Sequence, residues 1–214
     1  MRAGSRVRVP VAAEGWPFIF PPVALACILA GVGWWAGAGV FAALALAFLG
    51  FFRDPERTPP GVPDAVLAPA DGKVMAIADV DEGSMGPAVR MSIFLSLLDV
   101  HINRNPVTGL VRGVEYTAGK FRAAYKPEAS EVNERCTVVL EGERARIAVR
   151  QIAGVLARRI VCRVRSGDTV RAGERYGLIR FGSRTDLFVP RGAELRVRVG
   201  ERVKGGESIM ALLR

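Results

Sequence analysis

Gly167-Asp168-Thr169-Val170-Arg171-Ala172-Gly173-Glu174 recurs further along the chain as Gly200-Glu201-Arg202-Val203-Lys204-Gly205-Gly206-Glu207. The shared pattern G-[DE]-x-V-x-x-G-E spells a tight turn, a buried valine, a second turn and a new strand. Each copy is preceded and followed by a strand-like run. Outward from the repeat, short runs rich in β-branched residues, several of them alternating, occupy 66–68, 73–78, 89–95, 110–116, 136–140, 144–150 and 159–165. The pattern continues over 176–181, 186–189, 194–199 and 208–213. Helix-period stretches are few in this part, and the neighbourhood of Asn133 reads as loop. The expectation is a mainly β domain.

Paired turns of this kind are typical of the biotinyl/lipoyl-like sandwich and its larger barrel-sandwich hybrid relatives. Ala68-Pro69-Ala70-Asp71-Gly72-Lys73-Val74 looks like the opening strand of that fold. A carrier domain of this type presents a modifiable lysine at a hairpin tip, and the chain has no Met-Lys-Met or Asp-Lys-Ala tripeptide. The repeat therefore speaks for the fold and only weakly for carrier function.

Ahead of the β-rich part, residues 15–52 contain no Asp, Glu, Lys, Arg or His. As one straight helix they would reach about 57 Å, against a hydrocarbon core of about 30 Å. Two short helices, roughly 18–31 and 35–51, joined at Gly33-Trp34-Trp35, fit better. Arginines flank both ends (Arg2, Arg6 and Arg8 before, Arg53 and Arg57 after), which places both ends in the cytoplasm. A secretory signal peptide is disfavoured because the apolar stretch is too long and no small-residue cleavage site precedes Arg53. Each half is at the short limit for spanning, so a hairpin lying in the surface stays open. The expected organisation is a basic cytoplasmic tail (1–15), a membrane-associated apolar hairpin (16–52) and a β-rich domain (53–214). Prolines between Pro55 and Pro63 make an extended connector.

Composition closes other doors. Half of the 214 residues are hydrophobic and 24% are charged, which excludes a disordered charged tail protein. Three cysteines, Cys27, Cys136 and Cys162, form no disulfide framework and have no metal-ligand spacing, so reduced core cysteines are the simpler reading. Residues 53–214 carry 27 basic against 20 acidic side chains, a net charge of +7, suited to anionic headgroups. Basic residues interleaved with exposed aromatics, the mark of nucleic-acid binding, are missing.

His101 is the sole histidine, in Leu97-Leu98-Asp99-Val100-His101-Ile102-Asn103-Arg104-Asn105-Pro106. Its side chain suits proton transfer near neutral pH, with Asp99 as a candidate orienting partner. It reads equally as a structural histidine bonded to a backbone carbonyl. A single histidine without a cysteine or carboxylate cluster makes a metal site improbable. Turn chemistry alone explains Asp71 before Gly72. Phe181-Gly182-Ser183-Arg184 interrupts two strand-like runs, and on its own marks no more than a bulge.

Together these segments resemble the phosphatidylserine decarboxylase family in its shorter bacterial and archaeal form. The likeness rests on the apolar hairpin, Ala68 to Val74, Asp99 to Pro106, and Phe181-Gly182-Ser183-Arg184. Asn133-Glu134-Arg135 and Gln151-Ile152-Ala153-Gly154 are also similar. Longer members carry a second histidine three positions after the first and a Leu-Gly-Ser-Thr cleavage site. Here Arg104 takes that histidine's position and the site reads Phe-Gly-Ser-Arg.

The resemblance implies autocatalytic cleavage between Gly182 and Ser183 into chains 1–182 and 183–214, which stay together as a heterodimer. It implies a covalent pyruvoyl group derived from Ser183, which forms a Schiff base with the amine of phosphatidylserine and serves as electron sink. His101 would protonate the decarboxylated product, Asp71 would support the catalytic groups through hydrogen bonds, and phosphatidylethanolamine and CO2 would leave. No metal or nucleic acid is implied. An anionic membrane is the expected partner and its cytoplasmic face the expected location; a homo-oligomer stays open. The rival readings are a membrane-anchored hybrid-barrel domain without chemistry, or a phosphocarrier accepting phosphate on His101.

Overall fold

The computed structural model describes residues 10–123, 129–154, 159–180 and 183–214. It resolves into two compact units, residues 1–56 and 57–214.

In the first unit, a 3-10 turn (Ala13–Gly15) leads into helix α1 (Trp16–Gly31), and α2 (Trp35–Phe51) returns antiparallel to it. Gly33 makes the reversal at φ +82°, a backbone region that favours glycine. The two ends are stitched together, because Ala12 N donates to Phe52 O and Asp54 N to Pro10 O, each at 2.8 Å. Phe18 packs on the rings of Phe48 and Phe52. The outward faces are apolar: Phe20, Ile28, Val32, Trp34, Trp35, Val40 and Leu46 are all exposed. Residues 13–31 are long and apolar enough to cross a membrane, and α2 is shorter. Water does not suit such a surface; lipid does.

The second unit is mainly β. Its first strands are β1 (Ala65–Leu67), β2 (Gly72–Glu82) and β3 (Gly86–Leu95), then β4 (Ile102–Arg104) and β5 (Gly109–Thr117). A one-turn helix α3 (Ala129–Val132) precedes β6 (Arg135–Gly142) and β7 (Arg146–Ile152). There follow β8 (Ile160–Cys162), β9 (Thr169–Val170), β10 (Arg175–Ile179) and β11 (Ser183–Pro190). The last are β12 (Glu194–Leu195), β13 (Arg202–Val203) and β14 (Ile209–Leu212). A curled sheet runs β13-β2-β3-β11-β7-β6-β5-β9, with two small sheets β1-β14-β12 and β4-β10-β8. This is the barrel-like hybrid architecture that the turn repeat anticipates. Three short strands, β4, β9 and β13, go beyond the sequence reading. The expected strands at 159–165 and 194–199 shrink to β8 and β12. The loop expected around Asn133 begins with α3. Of the strand expected at 176–181, Phe181 lies outside the described residues, as do the arginines of the N-terminal tail.

The sheet order is a palindrome, and hydrogen bonds show why. Gly206 N donates to Ala68 O and Gly173 N to Asn105 O, both at 2.8 Å. Gly200 N reaches Val74 O at 2.7 Å, and Gly167 N reaches Val111 O at 2.8 Å. The glycine angles match too, +95° and +96° at Gly167 and Gly200, +77° and +78° at Gly173 and Gly206. Ala68-Pro69-Ala70-Asp71-Gly72-Lys73-Val74 therefore has a twin in Asn105-Pro106-Val107-Thr108-Gly109-Leu110-Val111, a second repeat. Each twin is followed by a register shift, after Val74 and after Val111. One half consists of β4 to β10. The other is split into β1–β3 and β11–β14, so the first half is inserted into it.

The main core lies inside the curled sheet, with Val66, Met91, Ile93, Leu140, Ile147, Leu187 and Val189 among its fully buried members. Val170 and Val203, the repeat valines, are buried there as well. Cys136 is buried and Cys162 half-buried, and their hydrogen bond together with burial pushes the Cys136 thiol up. Cys27 is exposed on α1.

Candidate active site

Ser183 opens β11 opposite Leu95, the last residue of β3. It is fully buried, and its Oγ has no hydrogen-bond partner among the described residues. Burying a hydroxyl without a partner costs about 1–3 kcal/mol. Such a group needs an explanation, and a nucleophile held ready is one. Gly182, the other half of the expected cleavage site, lies outside the described residues.

Strand alternation sends Ser183, Thr185, Leu187 and Val189 to the core side of β11, and Arg184, Asp186 and Phe188 to the other. On that second side Arg184 Nε and Nη2 grip both oxygens of Asp186 at 2.6 and 2.9 Å, and Nη2 also donates to Ser92 Oγ at 2.7 Å. Ser130 of α3 adds a bond to Asp186 at 3.4 Å. Both charged side chains are buried, so each depends on the other for compensation. Asn133 fixes the neighbouring strand end, with Nδ2 donating to Ala153 O at 2.7 Å and to Arg122 O at 2.8 Å. The start of β11 is thus immobilised from its outer side.

His101 is buried on the chain leading into β4, and its carbonyl accepts the amide of Ile179, the last residue of β10. Its Nδ1 lies 2.9 Å from the carbonyl oxygen of Asp99. A carbonyl only accepts, so Nδ1 carries the proton and Nε2 is the basic nitrogen of the neutral ring. The sequence offered Asp99 as orienting partner and, equally, a bond to a backbone carbonyl; both meet here, for the partner is the carbonyl of Asp99, while its carboxylate accepts from Ser96 N, Ser96 Oγ and Arg202. Proximity in sequence was right; the main chain does the orienting.

Asp71 takes Gly205 N on Oδ1 and Arg57 Nη2 on Oδ2, both at 2.8 Å. The first bond has a twin, because Thr108 Oγ1 accepts Ala172 N at 3.0 Å in the other half. The Arg57 bond belongs to this half, and Arg57 reaches Glu207 as well, at 3.0 Å. Arg104, in the position of the longer members' second histidine, donates to Gly173 O at 3.0 Å, and its Cδ lies where a side chain on Gly206 would sit. It braces the paired turns.

Three polar residues that the sequence reading did not assign to the site line the core side of β11 and β7. Asn103 Nδ2 donates to Thr185 Oγ1 at 3.2 Å, and Gln151 Nε2 donates to Asn103 Oδ1 at 2.8 Å. All three are fully buried, and Gln151 Oε1 is without a partner among the described residues. Gly177 makes the room, since a Cβ there would come within 3.1 Å of Gln151 Nε2 and 2.1 Å of Val161 O. A cleft of about 200 Å³ between Asp64, Val107, Thr108 and Arg144 contains none of these groups. Among the described residues no group of His, Cys, Asp and Glu is placed to hold a metal ion.

Residues 44–211 match the family model described as phosphatidylserine decarboxylase. A phosphatidylserine decarboxylase proenzyme of Nocardia farcinica is 48% identical over 95% of this chain and 88% of its own length. Proteins of the same name from Geobacter sulfurreducens (44% identical; 95% and 97% covered) and Symbiobacterium thermophilum (47%; 98% and 99%) are similar throughout. With the match spanning both the hairpin and the strands around Ser183, the chain belongs to the phosphatidylserine decarboxylase family, whose members are carboxy-lyases.

Proposed function

We propose that this chain is a proenzyme that cuts itself between Gly182 and Ser183 and then decarboxylates phosphatidylserine to phosphatidylethanolamine and CO2. The observation that carries the reading is the buried Oγ of Ser183, without a partner among the described residues, at the first position of a strand clamped on both sides. Attack of that oxygen on the Gly182 carbonyl forms an ester as the C–N bond breaks, freeing the Ser183 amine. Glycine at 182 leaves the carbonyl unobstructed. Loss of the Ser183 α-proton and rupture of the Cβ–O bond release Gly182 as a carboxylate. The remaining dehydroalanine tautomerises to an imine, takes up water, gives off ammonia and leaves a pyruvoyl group heading β11.

Buried Ser183 and its neighbours suit that group, which supplies a ketone that condenses with the substrate amine and takes up the electron pair left as CO2 departs. His101 moves the protons: its Nε2 takes one during self-cleavage and returns one to the product carbon. Asp71 supports this indirectly by fixing the Gly205 turn and the Arg57 connector. Chains 1–182 and 183–214 stay joined, because β11 lies between β3 and β7, β13 pairs with β2 and β14 with β1. The apolar hairpin anchors the protein at the cytoplasmic face of the membrane, on the strength of the arginines flanking it. The family match lends no support to the phosphocarrier alternative.

Intact-mass measurement of the purified full chain tests the proposal. Two pieces are expected, the smaller lacking a serine amino terminus and reducible by borohydride in the presence of an amine. A single chain of the translated mass that still decarboxylates would overturn it.

A further inference from the structure

The palindrome allows each buried residue near Ser183 to be compared with its twin. Arg104 N donates to Pro69 O and Leu67 N to Pro106 O, both at 2.9 Å, so Asn103 matches Val66. Val74 pairs with Ile93 and Ile93 with Thr185; Val111 pairs with Leu140 and Leu140 with Ile147; Thr185 therefore matches Ile147. Leu187 faces Val149 at the centre of the sheet, so Gln151, two residues past Val149, matches Val189, two past Leu187. At one of the two symmetry-related places, drawing on β1, β7 and β11, stand Val66, Ile147 and Val189, all fully buried in the main core. At the other, drawing on β4, β11 and β7, stand Asn103, Thr185 and Gln151, equally buried. The fold thus accepts aliphatic side chains at these places and, beside Ser183, carries polar ones instead. Burying amides and a hydroxyl where valine and isoleucine fit is a cost to stability, and such a departure marks function.

The network is also incomplete in a definite way. Gln151 Oε1 has no donor, and the Thr185 hydroxyl, whose oxygen accepts from Asn103, has no acceptor for its own hydrogen among the described residues. Thr185 follows Ser183 on the same side of β11, and Gln151 sits directly across the ladder from Thr185. We infer that Asn103, Thr185 and Gln151 form a binding floor for the substrate's amino-acid headgroup, with Gln151 Oε1 accepting from the amine and the Thr185 hydroxyl donating to the carboxylate. Asn103 is the positioning residue that holds both. This rests on the decarboxylase reading above and adds the groups that recognise the headgroup.

The test transplants the twin residues. The full-length triple variant Asn103→Val, Thr185→Ile, Gln151→Val is expected to self-cleave and to melt no lower than wild type. Its kcat/KM for a short-chain, micelle-free phosphatidylserine should fall at least 100-fold. Wild-type turnover beside an equally active triple variant would overturn the headgroup floor and leave the decarboxylase reading intact. A variant that folds yet fails to self-cleave would also overturn it, since the cluster would then serve maturation. Should the triple variant not fold, two single changes decide. Thr185→Val, which removes the hydroxyl, is expected to raise KM about tenfold, and Thr185→Ser, which keeps it, to restore most of that loss; equal effects would overturn the inference. Absence of cleavage and CO2 release in wild type would instead sink the underlying reading.

Discussion

The two halves of the β domain differ most at one hairpin. In the inserted half, β6 turns straight back into β7, with Gly142 N donating to Ala145 O at 3.0 Å. In the split half, β3 ends at Leu95, and its partner strand resumes only at Ser183. The whole of residues 96–182 fills the place of a tight turn. The proposed scissile bond thus lies where the inserted half hands the chain back. Breaking it leaves the ladder pairs of β11 from Arg184 onward in place, which is why a fold can lose a peptide bond there and keep its shape. A matched pair of variants probes this most sharply. Ser183→Ala should abolish both cleavage and decarboxylation, a loss of at least 10⁴-fold in turnover, the scale of removing a covalent nucleophile. Ala145→Ser, its twin in the closed hairpin, should leave that bond whole by mass and activity unchanged. Cleavage at residue 145 would mean that the turn, and not the environment of Ser183, makes the chemistry.

The outer side of β11 gives the next largest contrast. Arg184 corresponds to Arg146, but Arg184 is buried in its bidentate pair with Asp186 while Arg146 is mostly exposed, 3.9 Å from Glu141. Arg184→Ala leaves a buried carboxylate uncompensated and should cost about 3–5 kcal/mol in denaturant unfolding. Arg146→Ala should cost under about 0.5 kcal/mol. Equal losses would show that Asp186 does not depend on Arg184.

Asp71 and Thr108 make a finer pair. Each accepts an amide from its repeat turn, and only Asp71 also holds Arg57. Thr108→Ala should cost about 1 kcal/mol and Asp71→Ala about 2 kcal/mol, because its bonds involve charge. Self-cleavage, followed on gels after synthesis, should slow at least tenfold in Asp71→Ala and stay unchanged in Thr108→Ala. Equal maturation rates would reduce Asp71 to turn chemistry.

Much of this was legible in the chain. Long alternating runs such as those of β2, β3 and β5 announced themselves, and the G-[DE]-x-V-x-x-G-E repeat gave the fold. Strands β4, β9 and β13 were hidden because two or three residues carry no period. The second repeat was hidden because its copies share little more than a proline, a glycine and a final valine. Ser183 and His101 could be picked out by resemblance, whereas Asn103, Thr185 and Gln151 meet only after distant strands pair. Writing the two copies side by side would have revealed Asn103, where a polar residue replaces a valine. Asp99 could be named as the partner of His101 from its nearness, but which of its groups orients the ring could not, because the carbonyl that does so belongs to every residue alike.

The turn that closes one half and the loop that opens the other also differ at their tips. The closed hairpin exposes Glu143 and Arg144, as a turn facing water should. The open side exposes Leu97 and Leu98, the latter 84% accessible, with the exposed Arg202 tied to Asp99 in the same loop. Two leucines beside a cation, a few residues from His101, suit an anionic lipid surface better than water. Leu97→Ser with Leu98→Ser removes no buried contact, so stability should shift by less than about 0.5 kcal/mol. Apparent KM for phosphatidylserine in bilayer vesicles should rise about threefold, with KM for micelle-free short-chain substrate unchanged. If both values rise together, the loop shapes the site itself and not its approach to the bilayer.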